Sequence, residues 1–249
     1  MFRDRTVLAV IPARSGSKGL KNKNLRVLKG KNLVVWPIEA ALKSNVIDRI
    51  VCSTDSSKIA SIAQKHGAQV PFLRPANLAL DTTPTSDVIL HVIKYFETIG
   101  EKFDYVLLLE PTSPLTNADD VLSVLNLLYV NEKNADSVVS ISPNVIGHPD
   151  FTFLLSPPNG FLLPVSTSSV TTWQHKRRQD ISNCYYLDGS VYLSKVETFK
   201  QFQTFIHGTT LGIEFSKWKS FEIDDEIDFK IISMIMNDEE ITNGVYYGE

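Results

Sequence analysis

The 249-residue chain has few cysteines, little excess charge of either sign and no long apolar run, and each shortage excludes a class of protein. Its two cysteines, Cys52 and Cys184, lie far apart, so we expect reduced side chains in a cytoplasmic protein. The net charge of −3 argues against a generally basic nucleic-acid-binding surface. No apolar run approaches the roughly 18 residues of a membrane span, and the charged N-terminus is a poor signal peptide. We therefore expect no nucleic-acid partner and no membrane association.

The composition is that of a globular protein, with 43% hydrophobic and 21% charged residues. The length fits one large domain or two small ones. Because no linker and no internal repeat is visible, we predict a single domain over residues 1–249.

Charge is distributed unevenly along this chain. Residues 1–31 contain nine of the 25 Lys and Arg residues and one acid, whereas residues 222–228 (EIDDEID) crowd acids near the other end. Each stretch alone is more often an ordinary solvated surface. Together, a cationic loop and a carboxylate cluster suit a metal–polyphosphate ligand.

Strand and helix patterns alternate over the first 141 residues, which predicts an α/β fold with a parallel or mixed sheet. The predicted strands are 6–11, 49–54, 69–72, 105–109 and 137–141. The predicted helices begin near Pro37, Asp55, Thr83 and Asn117.

The alternation ends at residue 142. Residues 142–182 are rich in Pro, Ser and Thr with apolar islands (FTFLL, GFLLPV), which indicates an inserted lid or dimerisation arm. Strands at 190–193 and 221–223 and a helix over 225–236 are predicted to follow.

The most informative motif is IPARSGSKGLKNKN, residues 11–24, directly after the first strand. This is the sheet edge at which open α/β folds bind ligands. Gly16 and Gly19 let backbone N–H groups approach a ligand. The loop lacks both the Walker A and the dinucleotide-binding glycine patterns. Three of its cations can supply charge to a polyphosphate: Arg14, Lys18 and Lys23.

This motif resembles the signature of the CMP-acylneuraminate synthetases, cytidylyltransferases that activate sialic acid and related nonulosonic acids. The resemblance continues in order through STDSSKIA, PFLRPANLALDTTPTSDV, LLLEPTSPLTNADDV, SVVSIS, RRQD, DGSVYL and FEIDDEID. It implies a Rossmann-like nucleotide-sugar transferase fold and a homodimer in which each arm caps the partner's site. It also implies that a sugar acid and CTP give CMP-sugar and pyrophosphate, the anomeric hydroxyl attacking the α-phosphorus.

The resemblance also assigns the nucleotide site. Lys23 matches the cation at the α-phosphate, and Asn24 matches the asparagine that holds the ribose. Arg74 and residues 79–85 match the cytosine-reading segment, although Arg74 alone would indicate a surface ion pair. The expected catalytic residues are Lys23, Arg14 and Asp224, and the expected nucleotide-binding residues are Arg14, Ser17, Lys18, Lys23, Asn24, Arg74 and Thr85.

A Mg²⁺ or Mn²⁺ ion is implied at Asp224 and Glu222. Asp224 matches the family's metal-binding aspartate, and Glu222 stands where a second aspartate is usual. Two residues apart on a strand, both carboxylates would face the same side, and Mg²⁺ prefers such hard oxygen ligands. The alternative, that the acids of residues 224–226 cap a helix, leaves Glu222 unexplained.

The sugar site departs from the family pattern. Glu110 replaces a glutamine, Thr116 replaces an arginine, and Phe151 stands where a lysine is frequent. Arg178 and Tyr192 match sugar-contacting positions. The expected sugar-binding residues are therefore Glu110, Arg178, Tyr192 and Phe151.

These departures favour an altered nonulosonic acid, such as a legionaminate- or pseudaminate-like acceptor, or else reflect drift at rim positions. Glu110 would favour a hydroxyl-rich or amino-bearing edge of the sugar. Two other functions remain open: a nucleotidyltransferase for another sugar acid or a sugar phosphate, and an inactive nucleotide-binding paralogue.

Overall fold

Six strands form one central sheet in the computed structural model, which describes residues 1–144, 147–165, 177, 179 and 181–242. All described strands, in chain order, are β1 (Val7–Pro12), β2 (Val27–Leu28), β3 (Lys31–Asn32), β4 (Arg49–Ser53), β5 (Tyr105–Leu108), β6 (Ser137–Pro143), β7 (Phe153–Ser156), β8 (Phe161–Pro164), β9 (Tyr185–Lys195) and β10 (Thr210–Glu214). The α-helices are α1 (Val35–Ser44), α2 (Ser57–Lys65), α3 (Thr85–Thr98), α4 (Ala118–Val130), α5 (Val196–Phe202), α6 (Glu226–Asn237) and α7 (Glu239–Thr242). Short 3-10 helices span Lys23–Leu25, Ala76–Leu78, Pro149–Phe151 and Lys217–Ser220.

The sheet is mixed but mainly parallel, which confirms the predicted fold class. Its strand order is β10-β6-β9-β5-β1-β4. β1 pairs in parallel with β4 and β5, and β6 with β10, whereas β9 runs antiparallel to both of its neighbours. From β1 the chain goes to β4 on one side and then to β5 on the other. Strand order therefore reverses at β1, and such a reversal opens a crevice at the carboxyl ends of the strands.

The first strand is buried on both faces because helices cover both sides of the sheet. Ala9 and Ile11 pack with Ile38, Ile59 and Leu125 from α1, α2 and α4. The alternate residues of the strand belong to a second cluster, on the side of α3 and α5: Leu8 and Val10 pack with Ile89, Phe96 and Phe199.

A third apolar cluster joins the C-terminal helix to the loop after β1. Leu20 and Leu33 pack with Ile223, Ile232 and Ile235. This packing places the acidic segment before α6 against the cationic loop, although the two are some 200 residues apart in the chain.

Local helix signals are largely confirmed. The Asn117 side chain accepts hydrogen bonds from the N–H groups of Asp119 and Asp120, which completes a capping box at α4. Asp225 caps α6 in the same way. The predicted starts of α1 and α2 were each off by two residues. α1 begins at Val35 rather than at Pro37, and α2 begins at Ser57, capped by Ser56, rather than at Asp55.

Two predicted strands are wrong. Residues 69–72 form a single bridge, Val51 to Gln69, and residues 221–223 are not a strand. The apolar pattern of residues 221–223 reflects burial of Ile223. Its N–H donates to the Thr112 carbonyl at 2.8 Å.

The segment predicted as an arm contains an antiparallel hairpin of β7 and β8. Its apolar side chains face solvent in the single chain: Leu154, Leu155, Phe161 and Leu162 are each more than 60% exposed. Residues 145–146, 166–176, 178 and 180 of this segment lie outside the described part of the chain. In the ranges given above, no helix combines the length and apolarity needed to cross a bilayer.

Candidate active site

A cleft of about 460 Å³ lies at the carboxyl ends of β1 and β5. Its walls are the loop after β1, the chain from Arg74 to the start of α3, the residues after β5, and the turn before α6. Nine of the predicted site residues line it: Arg14, Ser17, Lys18, Lys23, Asn24, Arg74, Thr85, Glu110 and Asp224. The position agrees with the crevice expected from the strand order.

Side-chain hydrogen bonds fix the loop after β1 at both ends. The Asn24 amide donates to the Arg14 carbonyl at 2.9 Å. The N–H and hydroxyl of Ser15 donate to the Asp55 carboxylate at 2.7 and 2.6 Å. Gly19 passes so close to the Asp224 carbonyl that a Cβ at this position would collide with it. Loop and acidic turn therefore form one cleft wall.

Acidic side chains hold the three predicted phosphate-binding cations. Arg14 donates to the Asp81 carboxylate, and the Lys18 Nζ lies 3.2 Å from the same group. The Lys23 Nζ donates to the Ile223 carbonyl at 2.9 Å and lies 3.2 Å from the Asp224 carboxylate. Hydrogen bonds from Arg14 and then Lys18 lower the pKa of Asp81. All three cations therefore line the same cleft.

Arg74 is buried and links β4 to the wall of the cleft. Its Nε donates to the Ser53 hydroxyl at 3.1 Å, its Nη2 donates to the Ser53 carbonyl, and its Nη1 reaches the Leu78 carbonyl at 3.4 Å. Burial lowers the pKa of the guanidinium, and the nearby Asp55 opposes that shift. These contacts replace the surface ion pair that the sequence alone would have indicated.

Glu110 follows β5 and is partly buried where it lines the cleft. Its hydrogen-bond partner is the Thr112 hydroxyl at 3.4 Å. Burial raises the pKa of Glu110; Thr112 and then Lys23 oppose the shift, and Asp224 adds to it. Burial, followed by the charges of Glu110, Asp224 and Asp188, raises the pKa of Glu222 to about 7.

The two predicted metal ligands have different surroundings. Asp224 lines the cleft and its side chain is 77% exposed. The Glu222 carboxylate instead lies where a Cβ on Gly189 would be, and the positive φ of Gly189, 69°, favours glycine there. The two carboxylates do not share a strand, contrary to the prediction, and the charge of Asp224 raises the pKa of Glu222 only after burial and the charge of Glu110. Among the described residues, no group of three or more His, Cys, Asp or Glu side chains is arranged to hold a metal ion.

The predicted sugar-binding residues are only partly brought together. Tyr192 on β9 and Glu110 line a second cavity of about 230 Å³, which shares Glu110 and Thr85 with the cleft. Phe151 lies in the arm and lines neither cavity within one chain. Arg178 lies outside the described residues.

Asp81 was not singled out from the sequence, and Asp188 stood out only as a departure from the family pattern. Asp81 binds Arg14 and Lys18, each more than 60 residues away in the chain. Its only sign in the sequence was that an acid lies within the segment matched to cytosine reading. Asp188, which replaces an asparagine of the family pattern, is buried and accepts hydrogen bonds from Ser140 at 2.5 Å and Ser142 at 3.1 Å.

Comparison with known proteins places these features in a wider group. The sequence profile of a family described as cytidylyltransferase matches residues 8–241. The chain is 33% identical over 231 residues to CMP-N,N'-diacetyllegionaminic acid synthase of Legionella pneumophila, covering 92% of this chain and 96% of that protein. It is 29% identical over 231 residues to N-acylneuraminate cytidylyltransferase of Escherichia coli, covering 90% of this chain and 51% of that longer protein.

The fold is similar to that of a solved structure, CMP:2-keto-3-deoxy-manno-octonic acid synthetase complexed with CTP. The TM-score is 0.65 at 16% sequence identity, with 93% of this chain and 98% of the other covered. At this identity the likeness establishes the α/β architecture and no more.

Proposed function

Since the chain belongs to the cytidylyltransferase family, we propose that it transfers the cytidylyl group of CTP to a nonulosonic acid, giving CMP-sugar and pyrophosphate. The observation that carries this proposal is the convergence of Arg14, Lys18 and Lys23 on one cleft at the reversal point of the sheet. A triphosphate is the cytidylyltransferase substrate that needs several cations at once.

The cleft offers a separate place for each part of the nucleotide. The phosphates would displace Asp81 from Arg14 and Lys18, because among the described residues the side-chain partner of both cations is this one exposed carboxylate. The base would lie toward Arg74 and Thr85, and Asn24 would hold the ribose.

Catalysis in this proposal rests on positioning and charge. The anomeric hydroxyl of the acceptor attacks the α-phosphorus in line, the O–P bond to pyrophosphate breaks, and negative charge grows on the α-phosphate oxygens. Lys23 is fixed by the Ile223 carbonyl beside the cleft, so its ammonium can stabilise that charge without first reorganising.

Asp224 and Glu222 would hold the Mg²⁺ or Mn²⁺ ion of the proposal. The donor set suits a hard cation: Asp224 is an exposed carboxylate that lines the cleft, and its charge contributes, after burial and the charge of Glu110, to the raised pKa of Glu222. When bound, the ion supplies further charge neutralisation at the phosphates.

We propose a legionaminate- or pseudaminate-like acid as the acceptor. Glu110 and Tyr192 both line the cavity beside the cleft, and Glu110 also lines the cleft itself. The relative from Legionella pneumophila, 33% identical, is named as a synthase for a diacetylated legionaminic acid.

We also propose a cytoplasmic homodimer. Cys52 and Cys184 are both free thiols. The β7–β8 hairpin carries apolar side chains that a second chain would bury, and the arm of each subunit, with Phe151 and Arg178, would then reach the partner's acceptor site.

Pyrophosphate release tests the proposed reaction. The protein is incubated with Mg²⁺, one of the four nucleoside triphosphates, and one acceptor from a panel of sialic, legionaminic, pseudaminic and 3-deoxy-octulosonic acids and hexose phosphates. We expect release with CTP and a nonulosonic acid. Release with a sugar phosphate instead would favour the alternative nucleotidyltransferase. CTP binding without release from any acceptor would indicate an inactive paralogue.

A further inference from the structure

The cavity beside the nucleotide cleft combines aromatic rings, neutral polar side chains and one carboxylate. Its volume is about 230 Å³, and half of its ten lining residues are apolar or aromatic, the others being Thr85, Ser86, Glu110, Gln203 and Thr204. Tyr192 and Phe205 pack with ring centroids 5.6 Å apart, and Phe199 and Phe205 with centroids 4.7 Å apart. Among the described residues of this lining, Glu110 is the one charged group.

Glu110 lacks a close cationic partner among the described residues. The hydrogen bond from Thr112 is long, at 3.4 Å, and the ammonium of Lys23 is engaged by Ile223 and Asp224. A partly buried carboxylate is stabilised when a positive charge or several donors face it. The observed surroundings supply neither.

The neighbouring charges increase this imbalance. Asp188 is a buried carboxylate on β9, four residues before Tyr192, and is not a ligand of the proposed metal ion. Burial, and then the negative charges of Glu110, Glu222 and Asp188, raise the pKa of the Tyr192 hydroxyl. The cavity therefore favours a positively charged occupant.

We propose that this cavity binds a cationic nitrogen substituent of the acceptor, a protonated amine or amidine, with Glu110 as the residue that selects it. This inference rests on the proposed function. The carboxylate would pair with the nitrogen, and the faces and edges of Tyr192, Phe199 and Phe205 would surround the cation and any small carbon group attached to it.

The geometry favours such a group over the other cations available. Mg²⁺ binds through several oxygen ligands, whereas this lining offers one carboxylate, Glu110, beside the neutral side chains of Thr85, Ser86, Gln203 and Thr204, with aromatic rings over the rest of the wall. An N-acyl amide is neutral and would leave the Glu110 carboxylate without a counter-charge. An alkyl ammonium or amidinium supplies the positive charge that faces Glu110 and also an apolar frame that the aromatic rings can contact.

Matched acceptors test the inference. They are two nonulosonic acids that differ at one nitrogen, an N-acetyl amide in one and a free amino or acetamidino group in the other. Both are measured with the full-length protein, Mg²⁺ and CTP. We expect kcat/KM to be at least about tenfold higher for the cationic acceptor, the order of a buried cation–carboxylate and cation–aromatic contact.

The isosteric variant Glu110→Gln separates charge from shape. It should lower kcat/KM for the cationic acceptor and raise it for the amide, so that the preference inverts, while the Kd of CTP changes little. Thr112→Val is the matched control: it removes the one hydrogen bond to Glu110 but keeps its charge, and should retain the preference for the cation.

Equilibrium binding of the same acceptor pair, with a non-hydrolysable CTP analogue present, gives a readout independent of turnover. Tighter binding of the cationic member that is lost in Glu110→Gln supports the inference even if neither acceptor turns over, in which case only the proposed reaction fails. Equal binding of both members, or a preference that Glu110→Gln leaves intact, overturns the inference while CTP-dependent turnover can still stand.

Discussion

Lys23 holds the position on which the proposed chemistry depends. Its ammonium is mostly buried, with 17% of the side chain exposed, and is fixed by a backbone carbonyl and Asp224. Lys23→Ala should therefore reduce turnover by more than tenfold, because loss of one preorganised donor at a developing oxyanion costs about 2.7–4 kcal/mol. Pyrophosphate release measures the effect.

Lys21→Ala is the matched control, since Lys21 belongs to the same loop but is exposed and does not line the cleft. It should keep near-normal turnover, and both variants should unfold at the temperature of the parent protein. Near-normal turnover in Lys23→Ala would reject the assigned role.

The Asp81 carboxylate pairs with two of the proposed phosphate-binding cations, Arg14 and Lys18, in the free protein. Asp81→Asn should bind CTP and pyrophosphate about two- to fivefold more tightly, the range expected when one exposed ion-pair competitor is removed. Calorimetric titration gives the Kd values. Asp87→Asn, in the first turn of α3, should leave them unchanged. Weaker binding in Asp81→Asn would mean that the carboxylate orients the cations rather than competing for them.

Asp224 is expected to carry the requirement for metal. Activity should disappear with EDTA and return with Mg²⁺ or Mn²⁺, and Asp224→Asn should be crippled because an amide keeps the shape but loses the charge that holds a hard cation. Glu222→Gln should lose less. Glu226→Gln, at an exposed carboxylate paired with Arg26, should behave as the parent. Full activity in EDTA would contradict the metal assignment.

Residue type and position predicted many of the side chains that line the cleft. Lys23 and Asn24 were assigned from the motif, and the cleft brings them together with Arg74 and Asp224. Asp81 was missed because an ion pair between residues 67 apart leaves no local signal in a sequence.

A buried ion pair connects helix α4 to the 3-10 helix Lys217–Ser220. The Lys219 Nζ lies 2.6 and 2.7 Å from the two carboxylate oxygens of Asp120, and both side chains are at most 10% exposed. Lys219→Met should lower the free energy of unfolding by about 3–5 kcal/mol, because it leaves a buried charge uncompensated. Denaturant unfolding measures this.

The double variant Lys219→Met with Asp120→Asn should recover part of that loss, since no charge is then left buried. Lys217→Met, at an exposed lysine of the same short helix, should have little effect. A loss of stability no larger for Lys219→Met than for Lys217→Met would show that the pair contributes nothing to the fold.

Sequence patterns predicted elements well where local chemistry determines them. Asn117 and Asp225 cap their helices as the sequence indicates. The strands expected at 69–72 and 221–223 are absent because burial of alternate residues does not require a hydrogen-bonded ladder. After Gln69 the chain leaves the edge of β4 to position Arg74, and Ile223 is buried against α6 with one bond to Thr112.

From the exposed apolar hairpin of β7 and β8 we predict a homodimer in solution. Light scattering should give twice the 27.9 kDa mass of one chain. Leu155→Glu with Leu162→Glu should yield monomers or aggregates with little activity, because charge replaces apolar groups that a partner would bury. Val130→Glu, an equally exposed apolar site at the end of α4, should leave the dimer intact.

Deleting residues 142–182 should likewise give aggregated or monomeric, inactive protein. A monomer that keeps full activity at nanomolar concentration would refute the shared acceptor site. The α/β fold class and the inserted segment were predictable from the alternation of strand and helix patterns and from its interruption. A partner chain covering the hairpin is a property of two chains, and its only sign in the sequence is the apolar pattern.

Tracing the α-phosphate of CTP tests most directly whether this cleft activates a sugar acid. The protein is incubated with CTP labelled at the α-phosphorus, Mg²⁺ and the acceptor selected by the panel, and the products are separated by chromatography. We expect the label in a single CMP-sugar formed in equal amount to pyrophosphate, and lost in Lys23→Ala but not in Lys21→Ala. Label that stays in CTP, or that appears as free CMP or CDP with no sugar attached, would contradict it.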